Sequence, residues 1–419
     1  MDFPIIGWQK MPKELTLPEV YANIAGSGIN VFMTCSDSPK DIKAQLDLAD
    51  KHGLQALIRD PRFNATDKLG WQEEALAAVK DYGDHPATYG FYVRDEPVRG
   101  EFEREGQMVA LLKNERPDKV AFVNGLGWGS RGADCFMEYV EDYARIIKPE
   151  FLCFDSYPMS LIPEDADTSE FYKADCGIEW PELNAYYRDR YFETWETYRL
   201  VGWKYGLQIS GIILSTPHHH SSWNFGPVTE GTIRLEAFTA LAYGACAIQY
   251  FTLLNHPYDT DIMDDGIITQ EGHPSVRYNF VQNVNRDIVK LGPIVKELTC
   301  TQVFHHGPLT SSCTAWTPGR HLRDSSHVGV ARVEGDPAII GFLKGDGGRY
   351  IVVVNRNPAC RSRTKITMQK GWRASLIDIT DEIQEVSMKE VFELELEPGD
   401  GRLFRLDAEQ NALTQQGEV

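Results

Sequence analysis

The segment Tyr89-Gly-Phe-Tyr-Val-Arg-Asp-Glu-Pro97 places a short aromatic and β-branched run directly before two carboxylates and a proline. The run is typical of a buried strand, and proline lacks a ladder donor and holds the preceding residue in an extended conformation. Glu96 is therefore predicted to leave the sheet at the carboxyl end of the strand. Neighbouring side chains of a strand face opposite sides, so Asp95 and Glu96 can share one site only if the strand breaks here. A surface turn is the alternative, but a turn needs no apolar strand leading into it.

Strands and amphipathic helices alternate on both sides of this segment, over residues 1–299. The candidate strands are Pro4–Trp8, Ile29–Met33, Leu54–Ile58, Thr88–Val93, Val120–Val123, Phe151–Phe154, Leu207–Ile213 and Ala247–Phe251. Eight βα units in this length match the number and size of a TIM barrel. A doubly wound open sheet is the competing fold, but no glycine-rich phosphate loop follows the first strand. Because TIM barrels place catalytic residues at the carboxyl ends of their strands, Glu96 is expected at the barrel mouth.

The helical patterns between these strands include Pro39–His52, Gln72–Tyr82, Cys135–Lys148, Tyr187–Lys204 and Glu230–Tyr243, the last with Thr229 as its N-cap. From residue 300 the chain changes to short runs split by Gly, Asp, Asn and Pro, a spacing typical of a small antiparallel sandwich. We therefore predict an α/β chain: a (β/α)8 TIM barrel over residues 1–299, a small antiparallel β-sandwich over 300–407 and a disordered tail over 408–419.

The net charge of −19 argues against a surface for nucleic acid or for an anionic membrane, since either needs clustered Lys and Arg. No apolar run approaches the ~20 residues of a membrane span. The cysteines show no zinc-binding spacing, and Cys35, Cys153 and Cys246 fall in or at the ends of candidate strands. This pattern predicts reduced, buried cysteines and a cytoplasmic protein. A periplasmic or secreted location is the alternative if a leader has been removed.

The chain resembles the TIM-barrel glycoside hydrolases, chiefly those of clan A that carry a C-terminal β-sandwich. The resemblance rests on Gly90–Pro97 at strand four, on Gly244-Ala-Cys-Ala-Ile-Gln-Tyr-Phe-Thr252 at strand eight and on Pro398-Gly-Asp-Gly-Arg-Leu-Phe404. Clan A keeps its acid/base glutamate at the end of strand four, often as Asn-Glu-Pro, so the resemblance implies that role for Glu96. We accordingly expect a carbohydrate substrate and no cofactor, and the resemblance leaves a homo-oligomer open.

Two departures from clan A bear on the mechanism. Asp95 stands where clan A usually has Asn, and strand seven finishes through Gly211-Ile-Ile-Leu-Ser-Thr216 without the carboxylate that the clan uses as nucleophile. The adjacent Asp-Glu pair also resembles the strand-four pair of the substrate-assisted hexosaminidases, in which Asp orients the 2-acetamido group and Glu protonates the leaving oxygen. Such enzymes need no protein nucleophile. A two-carboxylate mechanism and a substrate-assisted one both stay open here.

Glu96 is the predicted general acid, because glycoside cleavage needs a proton on the departing oxygen and burial raises the pKa of a carboxyl group. Asp155 is the first candidate for a second carboxylate, since Phe154-Asp-Ser-Tyr-Pro158 ends strand six. It could be a nucleophile, a general base or a partner of Tyr157; an N-cap or a buried hydrogen-bond acceptor is the alternative. Tyr157 is a further catalytic candidate, with packing as its alternative. The separation of the two carboxyl groups would distinguish retention, at about 5 Å, from inversion, at roughly 6.5–9.5 Å.

Residues at or just after the strand ends would line a sugar cleft with aromatic faces and hydrogen-bonding groups. They are Trp8, Asp37, Arg59, Asp60, Asn124, Trp128, His218, His219, Trp223, Tyr250 and Asn255. Three consecutive histidines, His218–His220, cannot all face one ion from a regular element, so a substrate-binding loop is favoured over a metal site. Two other classes remain as alternatives: a non-catalytic carbohydrate-binding barrel, and a metal-dependent hydrolase or lyase that uses these histidines.

Overall fold

The structure, a computed structural model, describes residues 3–34, 36, 38–127, 136–161, 172–173, 179–180, 185–220, 223–255, 262–263, 265–308 and 329–408. Within these ranges only the backbone is described for residues 9–10, 160–161, 172–173, 179–180, 185–190, 219–220, 223–224 and 262–263. The predicted tail therefore lies outside the described residues, apart from Ala408.

Eight parallel strands form a nearly closed barrel. They are β1 (Ile5–Met11), β2 (Val31–Thr34), β3 (Gln55–Ile58), β4 (Thr88–Asp95), β5 (Val120–Asn124), β6 (Phe151–Asp155), β7 (Gln208–Leu214) and β8 (Ala247–Phe251). Their order is β5-β4-β3-β2-β1-β8-β7-β6. One bridge between Gly125 and Phe154 joins the two ends of this order, and Gly125 N donates to Cys153 O over 2.8 Å. The predicted TIM barrel is confirmed.

Helices surround the barrel. They are α1 (Pro18–Gly26), α2 (Pro39–Lys51), α3 (Trp71–Tyr82), α4 (Phe102–Glu115), α5 (Phe136–Asp142), α6 (Ala185–Tyr205), α7 (Glu230–Ala242) and α8 (Tyr278–Lys296). The predicted cap of α7 is present, because Thr229 Oγ1 accepts a hydrogen bond from Thr232 N at 3.2 Å. The helix predicted over Cys135–Lys148 is instead divided, with α5 followed by a π-helical turn at Tyr143–Ile147.

Side-chain alternation divides the core of the barrel domain into two parts. One part lies inside the ring and includes Trp8, Tyr92, Phe122, Cys153 and Cys246. The other lies between the strands and the helices, where Phe91 and Val93 of β4 are buried. The inner part is rich in aromatic side chains, so the barrel is filled by packed rings beneath its mouth.

A β-sandwich follows the barrel. Its strands are β9 (Thr299–His306), β10 (Val330–Gly335), β11 (Ala338–Gly345), β12 (Gly348–Asn355), β13 (Ser362–Met368), β14 (Trp372–Asp378), β15 (Gln384–Ser387), β16 (Val391–Leu396) and β17 (Gly401–Ala408). They form a six-stranded sheet in the order β9-β11-β12-β17-β14-β15 and a three-stranded sheet in the order β10-β13-β16. The larger sheet also packs on α7, where a Cβ at Gly341 would come within 2.0 Å of Ala242 O. This close approach requires glycine at position 341.

The cysteines follow the sequence-based prediction in part. Cys153, Cys246 and Cys300 are free and buried, as predicted. Cys360 forms a disulfide, so the prediction of reduced cysteines is wrong at this position. Within the described residues, every helix is too short or too polar to span a lipid bilayer.

Candidate active site

The backbone breaks at the carboxyl end of β4, as the sequence requires for Asp95 and Glu96 to share one site. Glu96 has a φ of 43°, in the left-handed region that non-glycine residues seldom adopt. Its amide donates to Asn124 O over 2.9 Å, which holds the break against β5. Tyr139 of α5 fixes the next residue, because its hydroxyl donates to Pro97 O at 2.9 Å. A strained residue held from two sides is typical of a functional site.

Three carboxylates meet at this end of the barrel, and we call them the mouth cluster: Asp95, Glu96 and Asp155. The side chains of Glu96 and Asp155 are hydrogen-bonded to each other. Asn124 Nδ2 donates to Asp95 Oδ1 over 3.0 Å and lies 3.4 Å from Asp155 Oδ1. Two carboxyl groups in hydrogen-bond contact must share a proton, since two charged carboxylates would repel each other.

Burial and mutual repulsion explain the electrostatics of the mouth cluster. The pKa of Asp155 is raised well above its usual value, first by burial and then by the charges of Glu96 and Asp95. The pKa of Asp95 is also raised, chiefly by burial, although the hydrogen bond from Asn124 and the charges of Arg59 and Arg94 oppose the rise. The Asp95 side chain is exposed to solvent, although neighbouring protein atoms surround much of its carboxyl group. Both are expected at a concave mouth.

An aromatic wall stands beside Asp155 and is formed by Tyr157, His218, Phe225 and Phe251. The ring of Tyr157 lies 5.3 Å from that of Phe225 and 6.0 Å from that of Phe251, measured between centroids. His218 packs 5.6 Å from Phe251. The pKa of Tyr157 is raised well above its usual value by burial, then by Asp155 and Glu236. Partly exposed rings next to carboxylates suit the apolar face of a sugar.

Arg59 lies at the mouth, and Trp8 lies in the packed layer beneath it. The Arg59 guanidinium stands 5.5 Å above the centre of the Tyr92 ring, and its charge acts on Asp95. Trp8 packs edge-on against Tyr92 at 5.7 Å and is buried. Both residues were predicted to line the cleft: Arg59 reaches the mouth, and Trp8 forms the packed layer beneath it.

Two other predicted cleft residues have structural partners that account for them. Asp60 is buried, accepts two hydrogen bonds from the Arg62 guanidinium and one from the Tyr82 hydroxyl, and caps a short helix. Tyr250 is fully buried outside the ring, where its hydroxyl donates to Asn285 Oδ1 of α8 over 2.7 Å. Neither side chain joins the mouth cluster.

Several predicted cleft residues are described only in part. Asn255 follows β8 and is half-buried. His219 and Trp223 belong to a hairpin of Trp223–Phe225 with His218–His220, but their side chains lie outside the described residues. Asp37 and Trp128 also lie outside them. No cluster of three His, Cys, Asp or Glu side chains able to hold a metal occurs in the part of the chain that the structure describes.

The end of β7 carries no carboxylate, in agreement with the sequence, but a glutamate reaches it from behind. Glu236 of α7 accepts a hydrogen bond from Leu214 N over 3.0 Å and is buried, which raises the pKa of its carboxyl well above the usual value. The sequence analysis did not single out Glu236. Its signal is an acidic residue inside the largely apolar helical stretch Leu235–Ala242.

Comparison with known proteins adds information about the fold. No protein-family model matches the chain, and no curated protein does either. The solved structure of a β-galactosidase from Bacillus circulans sp. alkalophilus is similar, with a TM-score of 0.61, 10% identity, and coverage of 97% of this chain and 99% of that one.

Two further solved structures are similar to this chain. A catalytic mutant of a GH42 β-galactosidase from G. stearothermophilus gives a TM-score of 0.58 at 8% identity, over 97% of this chain and 99% of that one. A β-galactosidase from the psychrophilic Marinomonas ef1 gives a TM-score of 0.51 at 12% identity, and the match spans 70% of this chain and 60% of that one. Identities this low establish fold alone. The chain has the fold of TIM-barrel glycoside hydrolases that carry a β-domain.

Proposed function

We propose that this protein is a glycoside hydrolase whose general acid is Glu96. The observation that carries the proposal is the hydrogen bond between Glu96 and Asp155 at the barrel mouth. A proton shared by two carboxylates stays bound at a higher pH than on an isolated carboxylic acid. Glycoside cleavage needs such an acid to protonate the departing oxygen. The glycosidase-like fold makes a carbohydrate the substrate class that fits this chemistry.

Asp155 serves as the partner that shares a proton with Glu96, since burial and the charge of Glu96 both raise the pKa of Asp155. Two carboxyl groups in hydrogen-bond contact have oxygens roughly 3 Å apart. Retention needs about 5–5.5 Å between the two catalytic carboxylates, and inversion roughly 6.5–9.5 Å. Because the Glu96 and Asp155 carboxyl groups interact directly with each other, we assign Asp155 to support rather than to attack. Asp95, which is open to solvent, is then the second carboxylate facing the substrate.

A substrate-assisted reaction on N-acetylhexosaminides is the second candidate, and the end of β7 favours it. Residues 208–220 contain no Asp or Glu, so that strand offers no nucleophile. Asp95 lies next to the proposed acid, where it could accept the acetamido N–H. In the described part of the chain Tyr157 is held by ring contacts, with no hydrogen bond from its hydroxyl, which could donate to the acetamido oxygen.

The experiment is a panel of unactivated glycosides, including N-acetylhexosaminides, tested with wild type, Glu96→Gln and Asp95→Asn. Glu103→Gln is the matched control, because Glu103 is exposed in the first turn of α4 and is not a member of the mouth cluster. We expect E96Q to lower kcat by about 10²–10⁴, the usual contribution of a general acid, and E103Q to leave it unchanged. Turnover of N-acetyl sugars alone, with a large loss in D95N, would select the substrate-assisted candidate.

Three outcomes would overturn the proposal. Full activity of E96Q on unactivated glycosides would remove Glu96 from the chemistry. Saturable glycan binding without turnover by wild type would identify a carbohydrate-binding barrel. Hydrolysis that a chelator abolishes and zinc or manganese restores would point to the metal-dependent class.

A further inference from the structure

A β-bulge lies in β4 directly before the mouth cluster. The pairing of β4 with β5 passes from Tyr92 to Arg94, so Val93 is an extra residue. Tyr92 faces the inside of the ring, and strict alternation from it would put Arg94 inside and Asp95 outside. The bulge reverses this arrangement. Asp95 reaches Asn124 at the mouth, and Arg94 is turned toward the outside of the strand.

Glu101 holds the chain on both sides of the bend formed by Asp95-Glu96-Pro97. It ends the short 3₁₀ helix Arg99–Glu101 that leads into α4. Arg94 Nη2 donates to Glu101 Oε1 over 2.6 Å, and Val98 N donates to Glu101 Oε2 over 2.9 Å. The two oxygens of one carboxylate therefore hold the residue before the bend and the residue after it. We call this pair of hydrogen bonds the clamp.

The bend requires support from its surroundings. Glu96 has a φ of 43°, and a non-glycine residue keeps such a conformation only where its neighbours determine it. The bond from Glu96 N to Asn124 O and the bond from the Tyr139 hydroxyl to Pro97 O hold the middle of the bend. The clamp holds its two ends.

We propose that Glu101 is a positioning residue that keeps this bend in the form that brings both Asp95 and Glu96 to the barrel mouth. The kinetic consequence of this inference rests on the proposed function, in which Glu96 is the acid. The side chains of Arg94 and Glu101 are 32% and 19% exposed, and ion pairs with this much solvent contact contribute little to stability. We therefore expect the clamp to act mainly on the placement of the two carboxylates.

A purely structural role is the alternative. Glu101 directly precedes α4, and a negative charge at this place also stabilises the first turn of a helix. Glu103 offers a matched control, because it is an exposed acid in that same turn. Glu103→Gln removes one charge near the start of α4 and leaves both bonds of the clamp in place.

The kinetic test compares Glu101→Ala, which removes both bonds, with Glu101→Gln. The glutamine keeps one oxygen, which can accept from Val98 N, but its amide nitrogen cannot accept from Arg94. We expect E101A to lower kcat on a glycoside about tenfold to a hundredfold and E101Q to lower it about threefold to tenfold, since a small misplacement of a reacting group is costly. KM should change by less than about twofold in both, because the clamp does not bind the substrate. E103Q should keep the kcat of wild type.

Amide hydrogen–deuterium exchange tests the clamp whether or not any glycoside is turned over. Exchange over residues 94–98 should be at least about fivefold faster in E101A than in wild type, with E101Q between them and E103Q equal to wild type. If Glu101 only supports α4, the faster exchange would be confined to the first turn of that helix and kcat would not change.

Two results would overturn the inference. One is equal exchange over residues 94–98 in E101A and E103Q, and the other is faster exchange there with the kcat of wild type. A wild-type protein that turns over no glycoside would contradict the proposed function instead, and the exchange rates would then decide whether the clamp holds the bend. If E101A does not fold, the comparison of E101Q with E103Q gives the same two tests.

Discussion

Two groups of three carboxylates in this molecule are built in opposite ways. The mouth cluster gathers Asp95, Glu96 and Asp155 around an amide and around each other. The second group, which we call the arginine cluster, gathers Glu230, Asp287 and Asp400 around Arg234 where α7, α8 and the sandwich meet. Arg234 donates to Glu230 at 3.0 Å, to Asp287 at 2.7 Å and to Asp400 at 3.2 Å.

The difference separates a structural use of carboxylates from a functional one. In the arginine cluster a cation lies among the acids, so each acid has an ion-pair partner and ties one element to another. In the mouth cluster Glu96 and Asp155 interact directly with each other, and the acids relieve their repulsion by sharing a proton. An arrangement that costs stability persists where function requires it.

The largest expected effect is on stability, at the arginine cluster. Arg234→Met should destabilise the protein by about 1.5–3 kcal/mol, because Glu230 and Asp287 lose their shared cation and the buried Asp400 keeps only its pair with Arg402. Arg234→Lys keeps the charge but not the fork of donors, so its loss should be smaller. Urea unfolding at pH 7 measures both. Equal stability of R234M and wild type would mean that the two clusters do not differ as described.

The next largest effect is a gain in stability, and it is expected at the mouth cluster. Asp155→Asn should raise the unfolding free energy at pH 8 by about 0.5–2 kcal/mol, the usual gain when a strained functional site is relaxed. It removes one of two acids in contact while keeping the shape of the side chain. Asp142→Asn is the contrasting control, because Asp142 is paired with Arg99 and Arg145. D142N should be neutral or slightly destabilising.

The pH dependence of D155N follows from the sign of the pKa shift. Burial and then the charges of Glu96 and Asp95 raise the pKa of Asp155 in the folded protein above its unfolded value. The folded state therefore binds more protons, and wild type loses stability as the pH rises from about 4 through the folded pKa. The gain in D155N should vanish below that window. A gain that persists at pH 3 would contradict the assignment.

The smallest effect concerns Glu105, which is buried like the mouth cluster but lies near arginines, as the acids of the arginine cluster do. Glu105 of α4 is buried, which raises its pKa to about 7, while Arg94 and Arg104 oppose the rise. Its folded pKa lies above its unfolded value, so stability is lost between about pH 4.5 and 7. Glu105→Gln should be more stable than wild type by roughly 1 kcal/mol or less above pH 7, and equal to it below pH 4.5. Thermal unfolding at pH 4.5 and 8 measures this.

The fold could be predicted from sequence because its signals are local. The end of β4 shows this best: an apolar run, two acids and Pro97 predict a strand that stops, and the strand stops at Asp95. The cap at Thr229 was found for the same reason. The edge strand Gln384–Ser387 was missed because all four of its residues are exposed, so it carries no apolar alternation.

The candidate site could be predicted only in part, because contacts across the barrel depend on register. Sequence places Glu96, Asn124 and Asp155 at strand ends, and the structure brings them together. Tyr250 also stands at a strand end, but the alternation of β8 turns it outward and Gln249 inward. A register shift of one residue would turn Tyr250 inward and Gln249 outward, and no local sequence pattern fixes the register.

The contact between Glu96 and Asp155 is tested most directly by a double-mutant cycle. Unfolding free energies of wild type, E96Q, D155N and the double variant would be measured at pH 8 and again at pH 4. Each single change relieves the same repulsion, so at pH 8 the two gains should fail to add by about 0.5–3 kcal/mol, and at pH 4 this coupling should shrink. Gains that add within about 0.5 kcal/mol at pH 8 would show that the two carboxyl groups share no proton.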